Sequence, residues 1–279
     1  SALLAGATLA TEIKCPASRD VWVSAEGQEA DYNMGAAQSI KLKFIQEMGI
    51  LDFEVSGLKG KLAKEAWLYV KAGGGSKWGL NGGTDLRWIS LATVGKDWVE
   101  GKSNRYAQDT EGHGATFKES SFQKTDWGWP GARLVDVTLG NMNTLRYDDE
   151  LKPQDGWHRM KVDPKLVHAL VAGATHGLLI MDGTTDVIMN PTIQQRESGQ
   201  GAYLLVTVEG DDAAPPAKVE GFKVSPAPNW ATTTHGAVEV SLKVPPDTFA
   251  YHVKVNGQPV DRWQLPFALE AGAAQTFPI

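Results

Sequence analysis

Apolar residues recur at every second position in many short stretches of this chain. In Ser39-Ile40-Lys41-Leu42-Lys43-Phe44, the residues Ile40, Leu42 and Phe44 share one face and the lysines take the other. Leu51–Val55, Ala66–Lys71, Arg133–Thr138 and Tyr203–Val208 repeat the pattern, and Ala66–Lys71 puts Trp67 and Tyr69 on its outer face. Alternation of this kind, separated by turn-rich spacers, predicts half-buried strands in antiparallel sheets. Ile40, Leu42, Phe44, Leu51, Phe53, Leu68, Val70, Val135, Val137, Leu179 and Val206 are the expected inward set. His176–Met181 is a continuous apolar run and reads as a central strand.

One stretch has a helical period. Asp163-Pro164 offers an N-cap and a proline at the first helical position. Leu166, Val167, Leu170 and Val171 follow on one face, and Gly173 closes the segment. The chain is therefore expected to be all-β: an antiparallel β-sandwich with one short helix.

Acidic, small and proline residues then cluster at Glu209–Ala217 and predict a semi-rigid linker over 210–217. Beyond it, Val219–Val224, Ala237–Val244 and Ala250–Val255 read as strands, and Asn256-Gly257 is a strong hairpin signal. The tail, 218–279, is short for a complete sandwich of roughly 90–100 residues. It is expected to be part of a domain that continues beyond Ile279. The opening SALLAGATLA has the small and apolar character of a signal-peptide end, without a charged region before it, and is expected instead to be a first strand.

Composition narrows the function classes. Of 279 residues, 42% are hydrophobic and 22% charged, as in a globular protein. The net charge of −6 opposes binding to nucleic acid and to anionic membranes. No apolar run approaches the roughly 18 residues of a membrane span. The single cysteine, Cys15, rules out an internal disulfide and is expected to be a buried, inert thiol. With 30 Gly and 10 Trp, turns and aromatics are plentiful, and Trp faces pack well on the C–H faces of sugars.

The order of several short motifs resembles the DNRLRE-type, or disaggregatase-related, jelly rolls. These are Asn33-Met34-Gly35, the strands Ile40–Phe44 and Leu51–Leu58, then Glu65–Val70, Asp97-Trp98-Val99-Glu100-Gly101, Val135–Thr138, and Arg196-Glu197 before Ala202–Val208. Gln195 stands where that family has serine, and Gly201-Ala202 where proline is usual. The likeness covers roughly 19–209 and implies a jelly-roll sandwich, carbohydrate-binding-module-like, over 1–209. The tail over 218–279 resembles part of a fibronectin type III-like, immunoglobulin-type domain, the succession found in large bacterial exported proteins. Relatives include polysaccharide binders, alginate among the ligands. The implied setting is secreted or cell-surface, next to other domains of a longer chain.

Three loops carry candidate chemistry. The glycine-rich 72–85 loop brings Lys77 and Trp78 near Arg87 and Trp88, a cluster suited to stacking on a sugar and pairing with its acidic groups. Gly101–Ala132 holds Trp127 and Trp129, which either form a sugar platform or clamp the loop to the sandwich. Its Asp109, Glu111 and His113 are weaker metal candidates. Glu26–Gly35 places Glu29, Asp31 and Asn33 in a turn, hard oxygen donors of the kind that bind a structural calcium. The six histidines are dispersed, and neither H-E-x-x-H nor G-x-S-x-G occurs. The expected function is a non-catalytic extracellular module binding polysaccharide through exposed aromatics and basic side chains. The alternative is a structural or adhesive module without glycan binding.

Overall fold

The computed structural model of the protein describes residues 10–73, 88–146, 156–182, 191–211, 217–226, 238–246, 248, 251–261, 264–266 and 269–279, with backbone alone at 88, 139–146 and 211. Among the described residues, twelve strands come before the linker: β1 Thr11–Ser24, β2 Ser39–Lys41, β3 Glu47–Phe53, β4 Lys61–Lys71, β5 Trp88–Val94, β6 Glu119–Ser121, β7 Thr125–Asp126, β8 Thr138–Arg146, β9 Trp157–Val162, β10 Leu178–Asp182, β11 Thr192–Gln194 and β12 Tyr203–Asp211. Five described strands follow it: β13 Glu220–Pro226, β14 Val238–Lys243, β15 Lys254–Val255, β16 Gln258–Pro259 and β17 Ala274–Pro278. Helix α1, Pro164–Val171, is the one α-helix among the described residues. The protein is all-β.

The main sheet is antiparallel, with strand order β8-β5-β10-β3-β1-β12-β4-β9. It curls into a sandwich because β1 belongs to both halves. Thr11–Pro16 pairs with β12, and Ala17–Ser24 pairs with β3, with a register break between Ala17 and Arg19. Such a break adds twist and bends the strand, letting one long strand turn the corner between two sheets. One half is thus β1–β12–β4–β9 and the other is β1–β3–β10–β5–β8.

Period two sorts the side chains into two cores. Between the halves lie Trp22, Ile40, Leu51, Phe53, Leu68, Val70, Leu91, Leu178, Ile180, Leu204 and Val206, with α1 contributing Leu166, Val167 and Leu170. The alternate residues of the five-stranded half, Val21, Val23, Met48, Ile50, Ala92, Val94, Leu179 and Met181, face the other way into a second core. The long 101–132 segment supplies the lid of that core through Ala115, Phe117, Trp127 and Ala132, with Leu134 and Val137 following. Burial on both faces explains the unbroken apolar run of β10. Leu179 therefore points into this second layer, not between the sheets.

Two expected strands change shape. The stretch 39–44 is a strand only to Lys41. Phe44 takes a left-handed φ of 45°, and Lys43 and Glu47 close a turn with a backbone hydrogen bond of 2.9 Å. Arg133–Thr138 is a 3-10 turn over Leu134–Asp136, held by the Asp136 carboxylate accepting from the Arg133 amide at 2.8 Å. Leu134 and Val137, three residues apart, face the core, and Val135 faces solvent.

Helix α1 starts as expected, with Asp163 Oδ1 accepting from the Lys165 amide at 2.9 Å. Gly173 follows at φ 69°. Cys15 is buried and free, and burial pushes its thiol up to about 11. In the tail, β13–β14–β17 form a small sheet over Val240, Leu265 and Phe277. Asn256 and Gly257 both take positive φ, 52° and 82°, as a two-residue type I′ hairpin between β15 and β16 requires. Lys96 Nζ reaches both carboxylate oxygens of Asp261 at 3.0 Å, linking the tail to the sandwich. No described helix is long and apolar enough to cross a membrane.

Candidate functional site

The outer face of the four-stranded half carries a cross-strand array of rings and cations. Strand alternation puts Trp67, Tyr69 and Lys71 of β4 outward, because Ala66, Leu68 and Val70 fill the core. Register does the rest. Tyr203 lies opposite Tyr69, Lys161 opposite Trp67, Arg159 opposite Tyr69, and Trp157 opposite Lys71. On the far side Lys14 of β1 lies opposite Leu205.

The Tyr69 and Tyr203 rings stack at 4.6 Å with 7° between planes, and Trp157 leans on Tyr203 at 5.2 Å. Lys14 Nζ sits 4.0 Å from the centre of Tyr203, and Arg159 Cζ 4.4 Å from that of Trp67. Lys161 and Lys71 stand 5.8 Å from Trp67 and Trp157. Burial, then the neighbouring Tyr69, raises the Tyr203 phenol above its usual range, so it stays neutral. A cleft of about 240 Å³ opens beside this array, bordered by Lys14, Trp157, Arg196, Gln200 and Tyr203. Chemically the face offers flat apolar rings together with four cations held against them.

The loop candidates fare differently. Lys77, Trp78 and Arg87 lie outside the described residues. Trp88 opens β5, where its backbone pairs with Arg146. Trp127 is fully buried and donates from Nε1 to the Thr116 carbonyl at 2.9 Å, so its ring is part of the second core and is closed to a ligand. Its place in the site is corrected on that ground. Trp129 is 44% exposed. A larger cleft of about 570 Å³, lined by Asp31, Lys118, Asp126 and Arg133, adjoins the long loop, and its only aromatic, Phe117, is buried.

The expected calcium donors Glu29, Asp31 and Asn33 are each engaged by other groups. Glu29 accepts from Ser24 Oγ at 2.8 Å, and Asp31 pairs with Lys118 at 2.9 Å. Asn33 is buried, and its amide donates to the Glu100 and Ala115 carbonyls at 2.8 Å each. Its Oδ1 accepts from the Gly35 amide at 3.0 Å. It is a structural bracket. Gly35 is needed beside it, since a Cβ there would lie 1.8 Å from the Glu100 carbonyl oxygen. Asp109 is likewise occupied by the amides of Lys102, Gly112 and Gly114.

Three other acids do converge. Asp20, Glu100 and Glu197 each place a carboxylate oxygen within 4.8 Å of the others. The Asp20 amide donates to Glu100 Oε1 at 2.8 Å, and the Arg196 amide to Asp20 Oδ2 at 2.9 Å. The Arg196 guanidinium spans Glu100 at 2.7 Å and Glu197 at 2.9 Å. Gln195, fully buried, donates from Nε2 to the carbonyls of Asp20, Met34 and Gly35. The three short motifs at 33–35, 97–101 and 196–197 therefore meet at one point on β1. No family model matches the chain, and no curated protein matches it. The order of these motifs is legible in the sequence, and their meeting in space comes from the fold.

Proposed function

We propose that the chain is a non-catalytic extracytoplasmic module that binds an anionic polysaccharide on the outer face of β1–β12–β4–β9. The observation that carries this is the cross-strand array of Trp67, Tyr69, Tyr203 and Trp157 with Lys14, Lys71, Arg159 and Lys161. Aromatic faces pack on the apolar faces of pyranose rings, and cations held beside them pair with uronate carboxylates or sulfates. A strand face is a rigid support, so the array is preorganised and loses little side-chain freedom on binding. The likeness to DNRLRE-type jelly rolls, with polysaccharide binders among them, points the same way.

A second reading, a structural or adhesive module, is favoured by one specific feature. Arg159 already covers Trp67, and Lys14 already covers Tyr203, so the rings have partners without a sugar. Affinity electrophoresis through gels containing alginate or a neutral β-glucan separates the two. Retardation by alginate that weakens with added salt, and none by the glucan, supports the binding module. Unchanged mobility in both gels supports the structural one.

A further inference from the structure

We propose that Asp20, Glu100 and Glu197 form a binding site for a hard divalent cation, calcium foremost, at the point where β1 passes from one half of the sandwich to the other. The argument starts from unfilled oxygens. Of the six carboxylate oxygens, Asp20 Oδ2, both oxygens of Glu100 and Glu197 Oε1 have donors from backbone or Arg196. Asp20 Oδ1 and Glu197 Oε2 have none, although both are shielded from solvent. Asp20 as a whole is 0% exposed. A buried carboxylate oxygen without a partner is costly, and an ion site is one of the few reasons a native fold keeps one.

Arg196 supplies one positive charge against three negative ones. The remaining deficit matches a divalent ion. The donors are all oxygens, with no Cys or His among them, which selects hard cations over zinc or copper. Calcium–oxygen distances of roughly 2.3–2.6 Å put ligands on opposite sides of the ion about 5 Å apart. Oxygens that lie within 4.8 Å of one another can share one such shell. Bound calcium ties β1 to the Trp98–Gly101 segment and to the Gln195–Glu197 turn. It also fixes Arg196 at the edge of the cleft on the outer face.

The test uses the full chain stripped with chelator and returned to metal-free buffer above neutral pH. Calcium chloride is titrated by calorimetry, and thermal unfolding is followed with and without millimolar calcium. One ion per chain is expected, with a midpoint raised by roughly 5 °C or more at saturating calcium. Glu197→Gln and Glu100→Gln should each weaken binding at least tenfold, whereas Glu29→Gln should bind as wild type does. Wild type that gives no binding heat and no shift overturns the proposal. So does calcium affinity unchanged in whichever of the two cluster variants retains a cooperative melt.

Discussion

Asp20 is a carboxylate placed where carboxylates are rarely kept. Burial lifts it from 3.8 to about 7, the Arg196 amide opposes that, and Glu197 and Glu100 add to it. An acid whose folded pKa is raised holds its proton in the native state after the unfolded chain has lost its own. Its contribution to stability is thus full below about pH 4 and is lost as pH rises to about 7. Burial depresses His158 to about 4, with the opposite sign: its contribution is full above about 6.5 and is lost as pH falls through about 4. Asp20→Asn leaves His158 in place and removes the first effect. In chelated buffer, the stability of this variant relative to wild type should climb between about pH 4 and 7 and then level off. Denaturant curves that stay parallel across that range would contradict the assignment. Trp127 is the other decisive residue. Trp127→Ala should cost roughly 3–5 kcal/mol, because it empties the second core and orphans the Thr116 carbonyl.

At the scale of elements, local signals were legible and distant ones were not. The Asp163-Pro164 start of α1 and the Asn256-Gly257 turn depend on neighbours in sequence, and both can be read directly from it. Period two exposes Trp67 and Tyr69 as an outer face. Only strand register brings Tyr203 and Trp157 beside them. Alternation failed at 133–138, where Leu134 and Val137 satisfy a 3-10 spacing as well as a strand's neighbours would. Asp136 decides the outcome by capping the Arg133 amide. The isosteric pair Val135→Thr and Val137→Thr checks this. The first should change stability by no more than about 0.5 kcal/mol, and the second should cost about 1–3 kcal/mol for a buried hydroxyl. Equal costs would restore the strand reading. The acid cluster was hidden for a simpler reason: Asp20 and Glu100 are 80 positions apart, and no local rule relates them.

For the whole molecule, the two faces of the sandwich have different tasks. The five-stranded half is covered by the 101–132 segment, which seals a second core. The four-stranded half keeps its outer face half-exposed and lines it with rings and cations. Any glycan site on this account lies on the second half, opposite the loop that holds Trp129. Ion pairing with a polyanion weakens as salt screens it, so affinity should fall steeply between low and physiological ionic strength. The most direct measurement compares alginate binding by wild type, Trp67→Ala and Trp129→Ala under one low-salt condition, with unfolding midpoints recorded alongside. The account predicts that wild type binds, that Trp67→Ala loses about tenfold or more in affinity while remaining folded, and that Trp129→Ala stays within about twofold of wild type. Loss at Trp129 with retention at Trp67, or no binding by wild type, would contradict it.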